Sequence, residues 1–200
     1  MSPLPLEHGE WNAAPPSRGD FGKIRGPEDE NSTASGLKSA AVLVPLLTYK
    51  DEVTVLLTER SQHLPSHAGQ VSFPGGRVDA ADASPVDTAL RETHEEVGIT
   101  PEFISPIGAL DTYETGTGFC ILPIVGTLAP GYTLTPEPAE VEEVFEVPLS
   151  FLMNPKNHER HRAYFKGAAR EYFAMPYDGH YIWGATAGMI VNLYERLYGS

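Results

Sequence analysis

Cysteine and long apolar runs are nearly absent from this chain. Its 200 residues include a single cysteine, Cys120, which excludes an internal disulfide bond. No stretch of about 18 apolar residues occurs, so no transmembrane helix is predicted. The first residues also lack the apolar segment of a signal peptide. We therefore expect a cytoplasmic protein without membrane association, in which Cys120 is a buried strand residue.

Basic residues are also scarce. The chain has 14 Lys and Arg against 27 Asp and Glu, a formal net charge of −13. Nucleic acid polymers are bound mainly by basic surfaces, so this balance argues against them as partners. A small anionic substrate remains compatible with the charge if bound metal ions supply local positive charge. The sequence does not decide the oligomeric state, and a homodimer is compatible with it.

The length suits one domain with a substantial core. Residues 1–36 are rich in Pro, Gly, Ser and acidic residues and contain few apolar ones. This composition predicts a flexible N-terminal arm, because such a segment cannot bury enough apolar surface to fold. Residues 37–200 are predicted to form the folded domain.

Local signals predict a helix from Pro85 to Val97. Ser84 can cap its first turn, Pro85 suits the first helical position, and Gly98 allows a left-handed stop. One stripe recurs at helical spacing between these limits, and it consists of Val86, Ala89, Leu90, Thr93 and Val97. This stripe predicts the buried face of the helix.

Three carboxylates lie on another face of the same helix. Glu92, Glu95 and Glu96 fall within five positions, where helical spacing brings them together. Like charges three and four positions apart weaken a helix by about 0.2 to 0.5 kcal/mol per pair. A divalent cation would reverse this penalty. The alternative interpretation is an ordinary solvated acidic face.

The segment from Gly76 to Ile99 resembles the Nudix box, a motif of glycine, arginine and glutamate residues at fixed spacing. Three positions depart from the usual pattern: Asp82 replaces a glutamate, Arg91 falls one residue late, and Thr93 replaces an apolar residue. The resemblance implies a metal-dependent hydrolase of nucleoside diphosphate derivatives.

A second signature precedes the box. It comprises Leu56–Ser61, Leu64 and His67–Gly76, and it resembles that of the coenzyme A pyrophosphatase branch of the Nudix superfamily. The resemblance implies hydrolysis of coenzyme A or acyl-coenzyme A to adenosine 3′,5′-bisphosphate and 4′-phosphopantetheine or its acyl form. Two alternatives stay open: cleavage of another derivative such as ADP-ribose or a dinucleotide, and a Nudix module that binds a nucleotide without turnover.

The resemblance also implies roles for the helix residues. Glu92 and Glu96 are the expected first ligands of Mg²⁺ or Mn²⁺, which prefer oxygen donors. Glu95 is expected to be a further ligand or the general base. Arg91, four residues before Glu95, is expected to pair with it and aim its carboxylate.

Other positions are candidates for the base or for substrate contacts. Glu114 and Glu140 are rival bases, the first in a predicted loop and the second at an acidic position of the branch. Zinc is disfavoured at His63 and His67, because Pro65 separates them and no cysteine is near. The expected substrate contacts are Arg60, His67, Gly69, Gln70, Gly75, Gly76 and Arg77.

Apolar and β-rich runs predict a mixed sheet, as in the α/β/α sandwich that the resemblance implies. A hairpin turn is expected at Tyr49–Glu52, and a second long helix at Ala185–Leu197. Between Pro148 and Gly167 we expect a short helix near Leu149–Met153, followed by a loop or an extended stretch. The predicted strands are Ala40–Thr48, Val53–Thr58, Ile104–Thr112, Phe119–Leu128, Val144–Val147, Glu171–Met175 and His180–Trp183.

Overall fold

The computed structural model describes residues 18–19, 36–165 and 168–199. Twelve strands and three α-helices are described in these ranges. The strands are β1 (Arg18–Gly19), β2 (Lys38–Thr48), β3 (Val53–Arg60), β4 (Val71–Ser72), β5 (Gly75–Arg77), β6 (Ile104–Ala109), β7 (Tyr113–Glu114), β8 (Phe119–Leu128), β9 (Val141–Pro148), β10 (Glu159–Phe165), β11 (Ala168–Tyr177) and β12 (His180–Trp183). The helices are α1 (Pro85–Val97), α2 (Leu149–Leu152) and α3 (Gly184–Tyr198).

A central sheet of nine strands organises the fold. Its main path is β1-β7-β8-β2-β3-β4, with β5 paired to β2, β6 to β8 and β9 to β3. Strands β2 and β8 run parallel, whereas β3 and β5 run antiparallel to β2. The sheet is therefore mixed, as predicted.

Successive residues of β2 and β3 point to opposite faces of this sheet, and both faces are buried. On one face, Leu43 packs in a cluster with Ala89 of α1. On the other face, Leu57 packs in a cluster with Ile190 of α3. The sheet thus lies between helices, and the predicted α/β/α sandwich is confirmed.

A second sheet covers part of the α3 side. It contains β10, β11 and β12 in antiparallel order. Met175 of β11 and Ile182 of β12 are fully buried in the cluster that also holds α3. Strand β10 lies in the segment for which the sequence left a loop or an extended stretch open.

Most predicted elements are present, with shifted ends. The turn after β2 is closed by a hydrogen bond from the Tyr49 amide to the Glu52 carbonyl, 2.8 Å long. The strand predicted to end at Thr112 ends at Ala109, and the chain re-enters the sheet at β7. Cys120 is buried in β8, as expected. None of the helices in the described ranges is long and apolar enough to cross a membrane.

Of the predicted arm, only residues 18, 19 and 36 belong to the described part of the chain. Residues 18 and 19 form β1, which pairs in parallel with β7 at the sheet edge. The Arg18 side chain lies 3.0 Å from Asp111 and 2.6 Å from Glu195. At these two residues the chain makes strand pairing and ion pairs with the folded domain, and the rest of the predicted arm before residue 36 lies outside the described residues.

Candidate active site

Helix α1 begins and ends where its local chemistry predicts. The Ser84 hydroxyl accepts a hydrogen bond from the Asp87 amide, and Pro85 occupies the first turn. At the other end, Gly98 adopts the left-handed conformation with φ of 77°, and its amide donates to the His94 carbonyl. These caps fix which side chains face the sheet.

The buried face of α1 includes one of the three carboxylates. Of the predicted stripe, Ala89, Thr93 and Val97 are fully buried, whereas Val86 and Leu90 are half-buried against the same cluster. Glu96 is also buried, at 3% exposure, whereas the side chain of Glu95 is 55% exposed. The three acids therefore do not share one solvated face, and the alternative interpretation fails at Glu96.

Two glycines of β5 bring the backbone against these carboxylates. The Gly75 amide donates a hydrogen bond to Glu96 Oε2 at 3.1 Å. A Cβ atom on Gly76 would lie 2.3 Å from Glu92 Oε2, closer than any stable contact. The strand pairs with Ala41 and Val42 of β2, so its position is set by the sheet. The glycine pair thus makes room for the acids beside a rigid strand.

The two glycines are expected to respond differently to substitution by alanine. Gly76→Ala should lower kcat/KM at least about tenfold with little loss of stability, because the added methyl displaces only the flexible end of Glu92. Gly75→Ala should destabilise the fold, since its Cβ would meet the backbone of Ala41 and Val42 at 2.5 Å and its φ is 151°. Steady-state kinetics and urea unfolding of both variants separate these effects. Equal activity of wild type and Gly76→Ala would contradict the placement of Glu92.

Arg91 connects the box acids. Its Nε and Nη2 atoms donate to the two carboxylate oxygens of Asp82 at 2.8 and 2.9 Å. Its Nη1 atom donates to Glu92 at 2.8 Å and to Glu95 at 3.0 Å. Nη2 also donates to the carbonyl of Arg77 at 3.1 Å. The expected pair of Arg91 with Glu95 is present, and it is one part of a larger network.

Asp82 is the site residue to which sequence reasoning assigned no role. It also accepts hydrogen bonds from Thr88 Oγ1 at 2.8 Å and from the Asp79 amide at 2.9 Å. The hydrogen bonds from Arg91 hold the pKa of Asp82 well below its usual range, against the effect of burial. Its position as the first acid of the Nudix box was the signal that could have revealed this role.

Glu96 has the most perturbed carboxylate of α1. Burial raises its pKa to about 7, while the Gly75 amide and the positive charge of Arg60 act in the opposite direction. Burial also raises the pKa of Glu92. Close carboxylates held partly out of water resist ionisation unless a cation compensates their charge.

Arg60, at the end of β3, faces Glu96. Its Nη1 atom lies 3.7 Å from Glu96 Oε1, and a quarter of its side chain is exposed. Its Nε atom is buried and has no hydrogen-bond partner among the described atoms. A buried N–H group without an acceptor costs about 1 to 3 kcal/mol, so this geometry favours a ligand that supplies an oxygen.

The loop that follows β3 returns to Arg60. The Gly69 amide donates to the Arg60 carbonyl at 2.9 Å, and the Arg60 amide donates to the Gln70 carbonyl at 3.0 Å. His67 Nδ1 lies 2.8 Å from Gln70 Oε1, so a hydrogen bond joins these two side chains. The predicted substrate contacts of this loop are thereby gathered beside Arg60.

The two rival bases lie in different environments. Glu140 precedes β9, and its charge is among those that raise the pKa values of Glu92 and Glu96. Its carbonyl accepts a hydrogen bond from the Ser61 amide at 2.9 Å, so it borders the loop. Glu114 lies on β7, paired with β8 and β1 rather than in the predicted loop. The geometry thus brings Glu140 to the carboxylates of α1.

The α1 carboxylates suit a hard divalent cation. Their donors are oxygens only, which magnesium and manganese prefer, and the missing Cβ of Gly76 keeps space open at Glu92. Burial, with a smaller contribution from neighbouring carboxylates, raises the pKa values of Glu92 and Glu96, and a bound cation would compensate their negative charge. Glu92, Glu95 and Glu96 are therefore the residues that could hold it.

Comparison with known proteins identifies the family. A family model described as the NUDIX domain matches residues 37–167. The protein named Uncharacterized Nudix hydrolase NudL from Photorhabdus laumondii is 41% identical over 160 residues, which cover 80% of this chain and 85% of the relative. Its namesake from Escherichia coli K12 is 39% identical over 156 residues, covering 78% and 81%. The chain belongs to the Nudix family.

Solved structures agree on the fold. The NUDIX domain of Shewanella oneidensis NrtR complexed with ADP ribose aligns with a TM-score of 0.51 at 20% identity, covering 86% of this chain and 94% of that one. A MutT/nudix family protein from Enterococcus faecalis aligns with a TM-score of 0.51 at 17% identity, covering 80% and 62%.

Family membership defines the class of reaction. The protein is a Nudix hydrolase, an enzyme that cleaves a small nucleoside diphosphate derivative. Enzymes of this family generally use divalent metal ions, in agreement with the oxygen donors of α1. The hypothesis of a binding module without turnover is set aside.

Proposed function

We propose that the protein hydrolyses the diphosphate bond of coenzyme A or acyl-coenzyme A, with Mg²⁺ or Mn²⁺ as cofactor. The products would be adenosine 3′,5′-bisphosphate and 4′-phosphopantetheine or its acyl form. The observation that carries the proposal is the position of Arg60, whose Nη1 atom lies 3.7 Å from Glu96 Oε1 and whose Nε atom is buried without a hydrogen-bond partner among the described residues. Arg60 belongs to the signature that resembles the coenzyme A branch.

The parts of that signature surround the carboxylates of α1. Arg60 approaches Glu96 from β3, the loop with His67 and Gln70 returns to Arg60, and Gly75 donates to Glu96 from β5. A guanidinium is a donor that suits phosphate oxygens. Arg60 thus supplies a cationic donor for a phosphate group beside the α1 carboxylates.

Within this proposal, Glu92 and Glu96 hold the cation, and of the two roles expected for Glu95, further ligand or general base, it takes the second. When bound, a divalent cation neutralises phosphate oxygens and acidifies a water molecule. Arg91 positions the carboxylates of Glu92 and Glu95 through its hydrogen bonds at 2.8 and 3.0 Å.

The general base is assigned to Glu95, the most exposed of the three acids. A base must come within hydrogen-bond reach of the attacking water, and the half-exposed carboxylate of Glu95 is open to a water molecule. Glu140 is the second candidate, because its charge acts on Glu92 and Glu96. Arg60, His67, Gly69, Gln70, Gly75 and Gly76 are assigned to substrate binding.

Rates on three substrates test the choice of substrate. We expect kcat/KM for coenzyme A to exceed that for 3′-dephospho-coenzyme A and for ADP-ribose at least about tenfold, because a charge-assisted contact to the 3′-phosphate contributes about 1.5 to 3 kcal/mol. Each substrate is measured with Mg²⁺ and with Mn²⁺. Faster cleavage of ADP-ribose would move the protein to the alternative substrate class with the same chemistry.

A further inference from the structure

A second group of metal-ligating side chains lies away from α1. Glu59 of β3, Glu143 of β9 and His180 of β12 place one ligating atom each within 4.8 Å of one another. Strand β12 belongs to the sheet that packs on the α3 side of the fold, whereas Glu92 and Glu96 lie on α1 at the other face. The group is thus separate from the candidate active site.

The two glutamates of this group face each other across neighbouring strands. Glu59 and Glu143 are direct partners in the antiparallel register of β3 and β9. Like charges directly opposite each other destabilise a strand pair by a few tenths of a kcal/mol up to about 1 kcal/mol. A positive charge between these carboxylates would remove the penalty.

His180 is held in place above this pair. Asp178 and Gly179 join β11 to β12 with positive φ values of 46° and 87°, the geometry of a tight hairpin turn. The turn sets the register of β11 and β12, in which Tyr177 pairs with His180, the first residue of β12. The imidazole also stacks on Phe145, with ring centroids 3.7 Å apart and an angle of 6° between the planes. Its side chain is 15% exposed.

The contact between His180 and Glu59 matches a pair of shared ligands better than a strong ion pair. His180 Nδ1 lies 3.3 Å from Glu59 Oε2. The other ring nitrogen, Nε2, lies 4.0 Å from Glu143 Oε2, so Nδ1 is the nitrogen that would share a cation with Glu59. Charge-assisted hydrogen bonds are shorter, about 2.7 to 2.9 Å. Two ligands of one zinc ion, each about 2.0 to 2.2 Å from it, lie roughly 3.0 to 3.6 Å apart. The side chain of Glu143 is 55% exposed, and its rotation toward Nδ1 would complete such a site.

We propose that Glu59, Glu143 and His180 form a second cation site, which takes a transition-metal dication such as Zn²⁺. One imidazole and two carboxylates are a donor set that suits zinc, whereas magnesium prefers oxygen ligands alone. Three protein ligands leave a fourth position for water. The bound ion joins β12 to β3 and β9, and its role is to fasten the second sheet to the central one. This inference is independent of the proposed substrate.

Calorimetric titration with ZnCl₂ tests the site. The background is the full chain with Glu92→Gln and Glu96→Gln, which removes two donors of α1. We expect His180→Gln and Glu143→Gln each to weaken zinc binding at least about tenfold, because each removes a direct ligand. Glu143→Gln is the safer variant for folding, since that side chain is the most exposed of the three.

His161→Gln is the matched control. Its imidazole also contacts a carboxylate, Glu159, at 2.8 Å, but in a pair rather than a group of three. It should leave zinc affinity unchanged, and excess MgCl₂ should not displace the zinc. Long-range ¹H–¹⁵N spectra should show zinc on one ring nitrogen of His180. Equal affinity in all variants, or a His180 ring protonated on both nitrogens in the presence of zinc, would overturn the proposal.

Discussion

Exchange of Glu96 for glutamine is expected to lower kcat at least about 100-fold while the fold persists. A direct metal ligand should matter at least as much as the outer partners of metal ligands, whose loss costs about 10- to 100-fold. Glutamine keeps the size of the side chain, and its oxygen can still accept the hydrogen bond from the Gly75 amide. Activity should fall without collapse of the site.

The same substitution should raise stability at high pH. Burial raises the pKa of Glu96 to about 7, above its ordinary value of 4.5. Between these two pH values, Glu96 is protonated in the folded state and ionised in the unfolded state. The contribution of Glu96 to the free energy of unfolding is therefore complete below pH 4.5 and is lost as the pH rises through about 7. Without metal, Glu96→Gln should therefore be more stable than wild type at pH 8, by roughly 2 to 4 kcal/mol.

Urea unfolding at pH 5 and pH 8 in the presence of chelator measures this difference. Glu95→Gln is the matched control on the same helix, and at its exposed position it should change the free energy of unfolding by less than about 0.5 kcal/mol. A Glu96→Gln variant that is less stable than wild type at pH 8 would contradict the burial of an ionisable carboxyl group here. Retained turnover would contradict its role as a ligand.

Loss of Arg91 is expected to cause the largest loss of stability. Arg91→Gln should destabilise the fold by about 3 kcal/mol, because it leaves the buried carboxylate of Asp82 without its two charged hydrogen bonds. Asp82→Asn should cost about 2 kcal/mol. In a double-mutant cycle, the two effects should couple by about 1 to 3 kcal/mol. Additive effects would contradict a direct structural role for the pair.

The pair also predicts acid sensitivity. The hydrogen bonds from Arg91 lower the pKa of folded Asp82 below its ordinary value of 3.8. Its contribution to stability is therefore present above pH 3.8 and is lost as the pH falls toward the lower folded pKa. Wild type should lose more unfolding free energy than Asp82→Asn between pH 5 and pH 3. Parallel pH profiles of the two proteins would contradict this account.

Local signals were sufficient for α1 but not for the contacts around it. Ser84, Pro85 and Gly98 predicted the ends of the helix because caps depend on neighbouring residues. The approach of Gly76 to Glu92 and the pairing of Arg91 with Asp82 depend on how the loop folds back, which spacing alone does not reveal. Strand β10 was left open for a similar reason, since its partner β11 decides its conformation.

Long-range packing also decided the environments of the charges. Helical spacing placed Glu96 with the other acids, but its burial results from the approach of β5 and β3. The contact of His180 with Glu59 joins residues 121 positions apart. No local pattern marks such a pair. Arg60, which the resemblance to the coenzyme A branch singled out as an expected substrate contact, lies 3.7 Å from Glu96.

Phosphorus NMR of coenzyme A incubated with the enzyme and Mg²⁺ tests the central claim most directly. The account predicts conversion to adenosine 3′,5′-bisphosphate and 4′-phosphopantetheine, loss of the reaction in chelator, and little product with Glu96→Gln. Coenzyme A that stays intact with wild type and either Mg²⁺ or Mn²⁺, or cleavage that persists in chelator, would contradict it.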